Sequence, residues 1–114
     1  MDPGFSPQAR WSGPIVERGY VCIPNLLIEN LHVFDLTPTE FTVLVAIDKF
    51  RWHGDKMPYP SNKTLSGMLG LSVSTVKRAT ASLQRKGVFI KNRSWNNSNH
   101  YDFSPLIETL GYIA

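Results

Sequence analysis

The sequence has a single cysteine, Cys22, which excludes an internal disulfide and suits a reducing cytoplasm. No apolar run approaches the roughly 18 to 20 residues that a membrane helix needs, so no membrane partner is expected. The first residues lack the basic-then-apolar layout of a secretory signal. Histidine is scarce, and His32, His53 and His100 stand far from one another and from Cys22. That scatter has no metal-ligand spacing, so neither a metal nor a cofactor is expected. No glycine-rich phosphate loop follows a strand, and no Ser-His-Asp or Cys-His set can be assembled. The expectation is a protein that is not an enzyme, with no catalytic residue to assign.

The most informative scarcity is one of charge. From Lys56 to Tyr101 there is no Asp or Glu, while Lys56, Lys63, Lys77, Arg78, Arg85, Lys86, Lys91 and Arg93 all fall in that span. The net charge of +3 hides this, because the acidic residues lie outside the span. A stretch this lopsided projects positive potential from one surface, and a polyanion is the partner it suits.

What is present fits one small domain. The chain has 114 residues, 42% of them apolar, enough for a modest core and too few for a large internal cavity. Residues 1–19 are broken by Pro3, Gly4, Pro7, Gly13 and Pro14 and read as a flexible arm, extended, disordered or docked on a partner. Residues 20–114 read as the domain proper. Tyr20 to Ile23 suits a short strand, and Pro24 to Leu31 a short helix. Thr37, Pro38 and Glu40 form the signature of a capping box. The apolar residues Phe41, Val43, Leu44, Val45, Ala46, Ile47 and Phe50 then mark a central helix, ending at His53 and Gly54. Met57 to Tyr59 suits a short strand or extended link, because Pro58 and Pro60 forbid a helix.

Two more helices follow in quick succession. Ser61 caps Asn62 to Leu69, and Gly70 supplies a left-handed stop. Ser72 caps Val73 to Lys86, and Gly87 stops it in the same way. Leu65 and Leu69 share a face of the first; Val76, Ala79 and Leu83 share a face of the second. Leu71 plugs the angle between them, and Ser66 is small enough to let them approach. A glycine to reverse the chain, a cap to restart it and apolar residues to lock the pair are what a helix-turn-helix needs. Val88 to Ile90, the turn residues Ser94 to Asn99, and the alternation at Tyr101 and Phe103 predict a hairpin over 88–103. Ser104-Pro105 opens a last short helix with Leu106, Ile107 and Leu110 as its apolar face. The fold class is mainly α with a small β-hairpin, a winged helix-turn-helix.

The residues left outward on the helix 73–86 are Ser74, Thr75, Lys77, Arg78, Ala81, Ser82 and Arg85. Short polar groups near a helix start, followed by basic ones, suit a major groove about 12 Å wide. Ser74, Thr75, Lys77 and Arg78 are assigned to bases. Ser61, Asn62 and Lys63 at the preceding helix start, and Ser72 at its own, are placed for the DNA backbone. Arg85 and Lys86 serve either phosphate or the helix dipole. On the wing, Lys91, Arg93 and Asn97 are assigned to DNA, with Arg93 foremost. Trp95 at the tip either stacks on the duplex or folds back on the protein.

The pieces Pro60-Ser61-Asn62, Leu65, Leu69-Gly70-Leu71-Ser72, Thr75-Val76, Arg78, Leu83, Gly87 and Tyr101-Asp102-Phe103-Ser104-Pro105-Leu106 carry a resemblance. This stretch resembles the winged helix-turn-helix domains of bacterial plasmid and phage replication proteins, above all the N-terminal domain of the plasmid replication protein C family. The resemblance covers roughly residues 20–107, most strongly 60–106. It implies a third helix that reads the major groove, a hairpin wing, double-stranded DNA as partner, and a bacterial, nucleoid- or plasmid-associated location. Initiators of that kind continue into further domains, whereas this sequence stops at Ala114; the expectation is a regulator or a replication or excision accessory factor. Two alternatives stand beside it. One is a protein–protein module contacting a further protein through the arm, Trp11 and Trp95. The other is a homodimer or larger self-assembly coating DNA through the arm and Leu110 to Ile113.

Overall fold

A computed structural model describes residues 6–50, 60–93 and 99–114, with Arg93 and Asn99 described by backbone alone. The elements run α1 (Pro7–Trp11), α2 (Gly13–Val16), α3 (Asn25–Glu29), α4 (Pro38–Asp48), α5 (Asn62–Leu69), α6 (Val73–Arg85), β1 (Ile90–Arg93), β2 (Asn99–Asp102) and α7 (Ser104–Ile113). Met57 to Tyr59, His53, Gly54, Trp95 and Asn97 lie outside the described residues.

α4 is central because its sequence is apolar on most of its circumference. Val43, Leu44, Ala46 and Ile47 are buried, and α4 packs against both α5 and α6. Its start is fixed by the capping box: Glu40 N–H donates to Thr37 Oγ1 at 3.1 Å, and Thr37 N–H donates to Glu40 Oε1 at 2.8 Å. α5 and α6 start on serine caps and meet across Gly70-Leu71-Ser72. Gly70 sits at φ 68°, where any other L-residue is strained, and its N–H closes on the Ser66 carbonyl at 3.0 Å. Ser66 does more than stay small: its hydroxyl donates to the Leu71 carbonyl and ties the turn together.

The apolar faces of α5 and α6 close the core. Leu65, Val76 and Leu83 are fully buried together with Val88, Phe89 and Tyr101. Phe89 lies edge-on to Tyr101 at 5.0 Å between centroids and stacks with Phe103 at 5.8 Å. Burial pushes the Tyr101 hydroxyl up to a pKa of about 12, and that hydroxyl has no hydrogen-bond partner among the described residues.

Several expectations are corrected. Residues 7–16 of the arm are not extended: Ser6 caps α1, α2 follows, and Val16 is buried. Tyr20 to Ile23 is no strand, having no neighbouring strand to pair with among the described residues. The hairpin strands begin at Ile90 rather than Val88, because Val88 and Phe89 are taken up by the core. β1 and β2 pair antiparallel, with Lys91 opposite Tyr101. Asp102, the last residue of β2, accepts from Ser104 Oγ at 2.6 Å and Ser104 N at 2.9 Å; these bonds lower its carboxyl pKa. On α7, Leu106 is buried and Leu110 packs on the core, but Ile107 is exposed.

Candidate nucleic-acid interface

α6 is two-faced by construction. Val76, Ala79, Thr80 and Leu83 are buried against the body. On the opposite side Ser74, Arg78, Ala81 and Arg85 follow one another at helical spacing, and all four are exposed. Lys77 is exposed on one flank of that strip. The helix ends at Arg85, one residue short of the expected boundary, and Lys86 is its C-cap.

The exposed cations of α5 and α6 have no carboxylate partner among the described residues. Among the described residues none of Lys63, Lys77, Arg78 and Arg85 forms an ion pair. Lys86 differs. Its ammonium reaches Glu40 Oε1 at 2.7 Å and donates to the Asp35 carbonyl. Burial alone would raise the Glu40 pKa. Hydrogen bonds from Lys86, Ser82 and the Thr37 N–H, with the charge of Lys86, outweigh it and bring the carboxyl down to about 2. Lys86 and Ser82 therefore tether the end of α6 to α4. The capping box was legible in the sequence; the lysine 46 residues away that shares its carboxylate was not.

The assigned polar residues sort by what holds them. Ser72 Oγ accepts from Thr75 N–H at 3.1 Å and shares a 2.8 Å bond with Thr75 Oγ1. Arg78 Nη2 donates to that same Thr75 Oγ1 at 3.4 Å. Thr75 is half-buried, so it steadies the Arg78 fork instead of standing free as Ser74 does. Ser61 Oγ is likewise committed, accepting from Thr64 N–H at 3.0 Å and bonding Thr64 Oγ1 at 2.9 Å. What the α5 start offers a phosphate is thus the exposed Lys63 and the first-turn amides that the Ser61 cap does not take, which have no partner within a helix. Asn62 is half-buried, with its Oδ1 buried and unpartnered among the described residues. On the wing, Lys91 is half-buried, its ammonium 6.0 Å from the Tyr101 ring centroid. The backbone of Arg93 belongs to β1, and Asn97 lies outside the described residues.

A tight pair of capped helices at a glycine turn, the second presenting a cationic strip, with a two-stranded ribbon beside it, defines a winged helix-turn-helix domain. Other helix-turn-helix proteins place the second of these helices in the major groove of DNA. Residues 35–88 match the family model of the helix-turn-helix domain. The fold is similar to that of the crystal structure of the N-terminal domain of the DnaD protein from Geobacillus kaustophilus HTA426. The TM-score is 0.68 at 20% identity, covering 88% of this chain and 84% of that one. A comparison with curated proteins finds no match. Among the described residues no helix is long and apolar enough to cross a membrane.

Proposed function

We propose that this protein binds double-stranded DNA sequence-specifically, with α6 in the major groove and the wing on the adjoining backbone. Arg78 and Ser74 read base edges, Lys77 and Arg85 flank them, and Lys63 with the α5 start grips phosphate. Binding rather than catalysis is its work. The observation that carries the reading is the exposed strip Ser74-Arg78-Ala81-Arg85, whose cations no carboxylate among the described residues answers. An outward helix face of this kind is otherwise commonly laced with charges of both signs. The resemblance to plasmid and phage replication domains supports a role as a regulator or accessory factor in replication or excision on a mobile element.

Selection of bound duplexes from a random pool tests this. A defined motif is expected, and Arg78→Ala relaxes preference at one position of it, costing about 1–3 kcal/mol. A pool with no enriched motif contradicts sequence-specific reading.

A second reading concerns assembly on that DNA. Trp11 and Ile15 of the N-terminal helices and Tyr112 of α7 are largely exposed, Tyr112 at 92%. These apolar groups favour self-association of bound copies. Footprint length tests it: a coating assembly protects much more than one or two half-sites.

A further inference from the structure

The root of the wing is anchored in the core. Val88 N–H donates to the Leu83 carbonyl at 3.0 Å, and the Val88 carbonyl accepts from Leu106 N–H at 3.2 Å. Phe89 is buried against Tyr101 and Phe103. Beyond that point Tyr101, opposite Lys91 on β2, is still buried, while Ile90 and Asn92 are exposed. β1 pairs with β2 alone among the described residues, and an isolated two-stranded ribbon is marginal in water. Such a strand also leaves donors along its outer edge.

One of those strand donors is taken by a side chain of α6. Gln84 Oε1 accepts the Lys91 N–H at 2.7 Å, and Gln84 is otherwise an exposed residue. Gln84 stands seven residues after Lys77, so the two share one side of α6, about 10 Å apart along the axis. The flank of α6 that carries Lys77 is therefore the flank from which the wing hangs. Residue type matters at this point. Glutamine is long enough to cross from helix to strand and offers an acceptor without a charge. A glutamate could accept the same bond but would set a carboxylate beside the surface that faces phosphate.

We propose that Gln84 is a positioning residue for the wing: its carboxamide, hooked on the second residue of β1, sets the angle between wing and α6 and so brings Lys91 to the duplex. The inference rests on the DNA-binding reading above. Hydrogen bonds to phosphate fail beyond about 3.5 Å, so even a small tilt of the ribbon on its anchored root loses the contact.

The test uses the full chain with three variants. Gln84→Met keeps length and removes the acceptor. Lys91→Ala keeps the N–H and removes the ammonium. The third combines them. Affinity for a duplex is followed across a salt series, with hydrogen exchange at the Lys91 amide in the free protein. Gln84→Met is expected to speed that exchange, weaken binding about tenfold and make the salt slope shallower by about one. The combined variant is expected to bind no more weakly than the weaker single variant, because both remove one contact. Additive losses would mean that Gln84 touches DNA itself and would overturn the proposal. So would unchanged exchange, or Gln84→Met binding like wild type on a steep salt slope. A wild type whose binding ignores salt would instead remove the DNA reading, and this inference with it.

Discussion

The two faces of α6 are made from one short stretch and differ in almost every respect. The inner face is buried, apolar but for Thr80, and tied at its end by Lys86 and Ser82 to Glu40. The outer face is polar, exposed and, among the described residues, free of ion pairs at Lys77, Arg78 and Arg85. Arg85 and Lys86 are neighbours in sequence with opposite fates. Position on the helix, and not charge, decides which cation is spent on folding and which is left for a ligand. Substitution on the inner face should therefore read out in stability, and on the outer face in DNA affinity.

The largest break comes from the inner face. Leu83→Ala empties a fully buried position and should cost about 2–5 kcal/mol of stability in chemical denaturation. Glu40→Gln is next. It leaves Lys86 partly buried without its anion, a loss of about 1–3 kcal/mol, with the fold retained. The pH dependence sharpens the point. Because the folded Glu40 pKa is lowered from 4.5 to about 2, its stabilisation is present above 4.5 and is lost as pH falls toward 2. Wild type should lose stability through that window more steeply than Glu40→Gln does.

Much of this was legible beforehand. Capping residues and glycine stops are local signals, and they placed both ends of α5 and α6 to within one residue and the start of α4; α4 itself ends at Asp48, short of the expected stop at His53 and Gly54. The strip on α6 followed from periodicity alone. Pairings between distant residues were not legible: nothing near Lys86 points to Glu40, and nothing near Gln84 points to the Lys91 amide. Proline and glycine spacing in the arm suggested a chain that is extended, disordered or docked on a partner. Yet Pro7 and Pro14 sit in the first turns of α1 and α2, where proline is tolerated. Which hydroxyls are committed to caps was not legible, because a serine that caps a helix and one that awaits a ligand look the same in sequence.

On the outer face the expected effects invert. Arg78→Ala should leave stability within about 0.5 kcal/mol of wild type, while weakening specific binding by about 1–3 kcal/mol. Smallest is Lys63→Ala at the α5 start. It should weaken binding to all sequences nearly equally and reduce the salt slope by about one.

The central claim is that the outer strip of α6 exists to meet a polyanion. The most direct measurement is duplex affinity against salt for wild type and for Lys77→Glu/Arg78→Glu, with both confirmed folded by circular dichroism. With about five phosphates neutralised, wild type should give a log–log slope near −4 to −5 and the reversed-charge variant little binding at any salt. A flat wild-type response, or a reversed-charge variant that binds as wild type does, would contradict the account.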